Sequence, residues 1–163
     1  MDKVLGWIKN VGIGCLVLLV VLSLVGKFKK SDYIVGFAPM KVLSGSMEPT
    51  IKVGDLIMVR KLNASNIKVG DIITYKMGSR TNVTHRVVEV SNVDNDISFK
   101  TKGDANNIED SELVWEDNLV GKLTFRIPKF GYLIDFIQNP FGFLLLFIIP
   151  VIVLLRKEKV FPK

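Results

Sequence analysis

The chain has 163 residues, 48% of them hydrophobic, and a net charge of +6, which fits one domain with appendages. The charge divides unevenly: the two ends hold +4, and the 109 residues from Lys27 to Asp135 hold only +2. The basic balance therefore belongs to the flanks of apolar segments, and with no run of interleaved aromatic and basic residues a nucleic-acid-binding face is excluded as its source. The one cysteine, Cys15, lies inside the first apolar run, so an intrachain disulfide framework is impossible and a thiol catalyst is disfavoured.

No charge interrupts the run from Asn10 to Gly26. A bilayer core roughly 30 Å thick needs about 20 apolar helical residues. The run reaches that length from Val4 if Lys9 extends to the surface, so a membrane-spanning helix is expected over 4–26. Ser23-Leu24-Val25-Gly26 followed by lysines is a poor small-x-small cleavage site, which favours an uncleaved signal-anchor. Phe136 to Leu155 is a second uncharged run and the expected second span over 136–155. The tail 156–163, with Arg156, Lys157 and Lys159, marks the cytoplasmic side. Two spans then place both ends in the cytoplasm and residues 27–135 outside it, making a multi-pass protein of the cell membrane or, in a eukaryote, the endoplasmic reticulum.

The basic collar Lys27 to Lys30 faces lipid headgroups. Tyr33 to Leu43 reads as a strand, from its β-branched and aromatic residues. Ser44-Gly45-Ser46-Met47-Glu48-Pro49-Thr50 reads as a shaped loop with an exposed methionine. Leu56 to Arg60 is a short strand entered through Gly54-Asp55. The pentapeptide Ile-Lys-Val-Gly-Asp occurs at 51–55 and again at 67–71. That repeat is too short for a solenoid and predicts two similar turn-to-strand entries. Strands are expected from Ile72 through Tyr75, over Val83 to Val90, Ile97 to Lys102 and Leu119 to Ile127, with a polar loop from Gly103 to Glu112. The fold class is therefore mainly β: a small antiparallel sheet or partly closed barrel, flanked by the two apolar helices. Asn63-Ala64-Ser65 and Asn82-Val83-Thr84 are acceptor sequons that matter only in a glycosylating host.

Ser46 is the candidate nucleophile, held close to the first apolar segment. A serine hydroxyl needs a base to take its proton. His85 is the only histidine and the only side chain whose ordinary pKa lies near neutrality. It falls on a strand whose other positions are apolar. A carboxylate bonded to one ring nitrogen would leave the other to accept the serine proton. Asp104 and Asp110 both qualify: the first follows Gly103 at a strand end, and the second is reached if the loop folds back.

Four segments carry a resemblance to a known family. Ser44 to Thr50, Val69-Gly70-Asp71-Ile72-Ile73-Thr74-Tyr75, Thr84-His85-Arg86-Val87 and Thr101-Lys102-Gly103-Asp104-Ala105-Asn106 are similar, in order, to the motif boxes of type I signal peptidases. Histidine before Arg86, where the usual bacterial branch has lysine, resembles the endoplasmic-reticulum type. The resemblance implies a membrane-bound serine endopeptidase that removes signal peptides from secretory preproteins after small residues. It implies Ser46 as nucleophile, His85 as general base, and Asp104 and Asp110 as the two box aspartates. It calls for neither cofactor nor metal, and its expected partners are secretory preproteins, the lipid bilayer and a secretion-machinery complex. The family's box runs Gly-Asp-Asn-Asn, so Ala105 departs from it and removes any role of that side chain.

An oxyanion would be met by the Ser46 backbone N–H and, on the family's pattern, by the Ser44 hydroxyl. Met47 would wall the cleft, dip into the membrane interface or simply pack. An extended substrate could pair with a sheet edge. The competing reading is a non-catalytic, membrane-anchored β-domain that binds or presents partner proteins. A sortase-like transpeptidase would need a cysteine outside the apolar run.

Overall fold

The computed structural model describes residues 36–78, 81–93, 96–142, 144, 145 and 148, together with residue 12. The span expected at 4–26 falls almost wholly outside these residues, that at 136–155 half outside, and the tail 156–163 wholly so. No helix among the described residues is long and apolar enough to cross a membrane. The chain divides into a unit spanning Lys30–Tyr132 and a second unit formed by the two ends.

The first unit is one antiparallel sheet of seven strands. They are β1 (Phe37–Lys41), β2 (Leu56–Arg60), β3 (Ile72–Met77), β4 (Thr81–Val93), β5 (Asp96–Lys102), β6 (Val114–Trp115) and β7 (Leu119–Ile127). Their order across the sheet is β1-β2-β7-β3-β4-β5-β6. The sheet stays open, with β1 and β6 as its edges, so the expectation of a partly closed barrel gives way to the open form. β7, last in sequence, sits in the centre and pairs with β2 on one side and β3 on the other. Gly121 permits this, because a Cβ there would come within 2.2 Å of the Arg60 carbonyl oxygen.

Period-two alternation divides the core between two clusters, and on β3 all four residues Ile72–Tyr75 are buried. Ile57 and Val59 on β2, Ile73 and Tyr75 on β3, and Phe99 on β5 are all buried. They fall into two clusters. One gathers Ala38, Met47, Ile51, Ile57, Val59, Ile72 and Val120. The other gathers Ile67, Ile73, Tyr75, Val87, Phe99 and Val114. The first cluster lies beneath the loop that carries Ser46, and the second lies beside His85.

Strand boundaries shift for local reasons. Regular pairing of β1 ends at Lys41, and Val42 then bonds Gly54 and Asp55 of the turn before β2. β4 runs three residues past the expected end at Val90, against Asp96–Ser98 of β5. β6 escapes a sequence reading because two residues carry no periodicity. After β7 the chain enters a helix, Phe130–Gln138.

Candidate active site

Ser46 sits in a tight turn after β1. The Glu48 amide donates to the Gly45 carbonyl at 3.0 Å, and the Ile51 amide to the Met47 carbonyl at 2.9 Å. Apolar burial pins this turn from below, since Met47 and Ile51 are only 2% and 1% exposed. Of the three roles left open for Met47, its placement matches packing: despite its exposed look in the sequence, its side chain belongs to the core under the loop. Ser44, at the start of the turn, is exposed, and Ser46 is half-buried.

A second loop holds the turn from the other side. The Ala105 amide donates to the Ser46 carbonyl at 2.9 Å. Gly103 lies so close that a Cβ would come within 2.6 Å of that same oxygen. Position 105 therefore contributes its backbone here, which is why alanine is accommodated.

His85 projects from β4 opposite Ile73 of β3 and is buried. Its Nε2 lies 3.2 Å from the Ser46 hydroxyl and its Nδ1 lies 2.6 Å from Asp110 Oδ2. A carboxylate only accepts, so Nδ1 carries the proton. Nε2 is then the acceptor for the Ser46 hydroxyl. Asp110 reaches the ring because the loop after β5 folds back, its amide donating to the Thr101 carbonyl at 2.9 Å.

The same carboxylate oxygen takes further donors. Thr101 Oγ1 donates to Asp110 Oδ2 at 2.6 Å and the Tyr75 hydroxyl at 3.2 Å. Burial works to raise the Asp110 pKa, but the bonds from Thr101 and His85, with a smaller contribution from Tyr75, outweigh it and hold the carboxyl below its usual value. Burial, with the Asp110 charge adding to it, pushes Tyr75 up to about 12. Tyr75 thus stays a donor throughout the physiological range. Its ring meets the His85 ring edge-on, with centroids 6.5 Å apart.

Asp104 is not brought to the histidine ring. It takes two bonds from Arg86, Nε to Oδ1 and Nη2 to Oδ2, both at 2.8 Å. Arg86 Nη1 also donates to the Gly70 carbonyl at 2.8 Å. The Arg86 bonds hold the Asp104 carboxyl below its usual range against the opposing effect of burial. Asp104 thereby ties its loop to β4, next to His85.

Thr101, Tyr75 and the clamp made by Arg86 are site residues that reading the sequence missed. Alternation was the available signal. Tyr75 is two residues from Ile73 and Thr101 two from Phe99, on one sheet face, and Thr101 stands opposite Val87 across the ladder. A cavity of about 180 Å³ lies on the Asp110 side of the group, walled by Tyr75, Met77, Leu113 and Val114 among others. Among the described residues no group of three or more His, Cys, Asp or Glu could hold a metal ion.

Known proteins share this chain's pattern. The family model described as "Signal peptidase, peptidase S26" matches residues 6–96. Signal peptidase I W of Bacillus subtilis (strain 168) is 37% identical over 117 residues, 68% of this chain and 62% of that relative. The human signal peptidase complex catalytic subunit SEC11C is 36% identical over 129 residues, 72% of this chain and 67% of the relative. The SEC11 catalytic subunit of Colletotrichum graminicola is 35% identical over 100 residues, 56% of this chain and 58% of its own length. The match thus spans somewhat under two thirds of the length of the Bacillus relative. The chain belongs to the signal peptidase family, peptidase S26, and to its endoplasmic-reticulum type.

Proposed function

We propose that this protein is a serine endopeptidase that removes signal peptides from secretory preproteins, cutting after small residues. Ser46 is the nucleophile, His85 the general base and Asp110 the acid that orients the ring. Asp104 serves the site from outside it, by clamping its loop to Arg86. The observation that supports this most is the unbroken run of contacts from the Ser46 hydroxyl through His85, at 3.2 Å and 2.6 Å, to Asp110. Family membership supports the substrate class.

In the first step His85 Nε2 takes the Ser46 proton as the hydroxyl oxygen attacks the scissile carbonyl. The imidazolium that forms is stabilised by Asp110, whose charge the Thr101 and Tyr75 donors maintain. The oxyanion is met by the Ser46 backbone N–H, with the exposed Ser44 hydroxyl as second donor. The imidazolium then protonates the leaving amine. Water, activated by the same nitrogen, releases the acyl group from Ser46.

The uncharged runs at 10–26 and 136–155 anchor residues 27–135 at a bilayer and outside the cytoplasm. Only seventeen residues, Lys27 to Leu43, separate the first run from the Ser44–Thr50 loop. That short tether raises the effective concentration of the cleft at the point where a signal peptide's own apolar segment ends. Work within a larger secretion complex is the corresponding partner assignment.

The test is processing of a reporter preprotein with an Ala-x-Ala site by purified protein in detergent. Ser46→Ala and His85→Ala are each expected to lower kcat by at least about 10³-fold. Undiminished processing by either variant would sink the assignment.

A further inference from the structure

The repeated Ile-Lys-Val-Gly-Asp pentapeptide is not used by the chemistry above, yet its two copies are one device built twice. In each, the glycine adopts positive φ, 84° at Gly54 and 92° at Gly70. In each, the aspartate carboxylate accepts the backbone N–H of the lysine three residues before it: Lys52 to Asp55 and Lys68 to Asp71, both at 3.0 Å. Each carboxylate also pairs with a cation of β7, Asp55 with Arg126 at 2.8 Å and Asp71 with Lys122 at 2.7 Å.

Each turn then grips one valine from another segment through a reciprocal pair of backbone bonds. Val42 donates to the Asp55 carbonyl at 2.9 Å while Gly54 donates to the Val42 carbonyl at 3.0 Å. Val87 donates to the Asp71 carbonyl and Gly70 to the Val87 carbonyl, both at 2.8 Å. Both grips fall one step beyond the end of a strand ladder. The β1–β2 register ends at Lys41 opposite Leu56, and the β3–β4 register ends at Arg86 opposite Ile72. The turns therefore prolong each ladder where regular pairing stops. On the β5 side of β4 the register slips just past Val87, so the turn supplies constraint that this ladder lacks.

The gripped positions are those next to the chemistry. Val42 leads directly into the loop that carries Ser46, and Val87 lies two residues after His85. We propose that the two Gly-Asp turns are positioning elements of the peptidase site, with Asp71 acting through Val87 on His85 and Asp55 through Val42 on the Ser46 loop. The proposal rests on the Ser46–His85 reading. A small displacement of a base from its nucleophile is costly, since reactivity demands aligned groups at near contact.

His85 is the chain's one histidine, so its imidazole resonances report its placement without ambiguity. Turnover of a signal-sequence peptide and the imidazole spectrum are measured together on the full chain in detergent. Asp71→Ala is expected to lower kcat about tenfold with KM within about twofold, and to displace the His85 resonances. Gly70→Ala has room for its Cβ, with nothing within 4 Å, but strains the turn, and is expected to lower kcat about threefold with the same displacement. Asp55→Ala is expected to lower kcat about tenfold while the imidazole resonances stay put. Lys122→Met removes only an ion pair and is expected to match wild type in both readouts.

Wild-type kcat and imidazole resonances in Asp71→Ala and Gly70→Ala overturn the proposal, as does Asp55→Ala moving the His85 resonances as far as Asp71→Ala does. Should Asp71→Ala fail to fold, Gly70→Ala decides on the same two readouts. A wild-type protein that cuts no preprotein overturns the peptidase reading and this proposal with it. An active wild type with indifferent turn variants overturns this proposal alone.

Discussion

Asp104 and Asp110 are six residues apart in sequence and meet different partners. Asp110 faces His85, Thr101 and Tyr75, whereas Asp104 faces the Arg86 guanidinium. Their substitutions should therefore separate cleanly. Asp110→Asn can no longer stabilise an imidazolium and is expected to lower kcat about 10²- to 10⁴-fold with the fold kept. Asp104→Asn breaks a bidentate charged pair and is expected to cost about 1–2 kcal/mol of stability while most turnover survives. Steady-state kinetics paired with denaturant melts checks both. If Asp110→Asn kept full turnover, the orienting acid would drop out and a Ser46–His85 dyad would remain. Reading the sequence left these two aspartates level, because the course of a polar loop is not encoded in any local period. The deciding contacts come from Thr101 and Arg86, which lie on different strands. Ser46 and His85 could be singled out because few residue types can do their proposed chemistry and the chain offers only one histidine; the structure brings the pair within 3.2 Å.

At the scale of elements, the loop 103–110 meets the Ser46 turn backbone to backbone. Gly103→Ala would drive a Cβ into the Ser46 carbonyl, at 2.6 Å, so the turn must shift. It is expected to lower kcat about 10- to 100-fold with secondary structure intact, as judged by far-ultraviolet circular dichroism beside the activity assay. Unchanged kcat would mean that the turn tolerates displacement. The strands themselves could be read closely: β2 and β7 are found over the very residues that alternation and β-branching indicate. Two-residue β6 could not be read from local pattern, since it is made by pairing with β5 alone. Met47 shows what local pattern leaves open. Its flexible, polar neighbours suggested exposure, but Met47 and Ile51 together nail that loop to a core.

At the scale of the whole molecule, three aspartates on different segments have lowered pKa values. Asp55, buried beneath Arg126 and the Lys52 and Lys129 amides, joins Asp104 and Asp110. A carboxyl whose pKa falls on folding stabilises the protein fully above its unfolded value of about 4. That contribution is lost as pH falls through the lower folded value. Urea melts should give level stability down to about pH 5 and a decline below about pH 4. Asp55→Asn, which cannot ionise, should be less stable at pH 7 and decline less steeply; an identical slope would remove Asp55 from the acid transition. The central place of β7 carries a consequence for timing. Ser46, His85 and Asp110 all precede residue 119 in the chain, but the β1–β2 half and the β3–β6 half share no ladder until β7 joins them. A nascent chain emerges N-terminus first, so the ladder that joins the Ser46 and His85 halves can form only once β7, which pairs through Lys122 with both Arg60 and Ile73, has followed them. The proposed nucleophile and base therefore come to share one sheet only through the strand that is last of the seven in sequence.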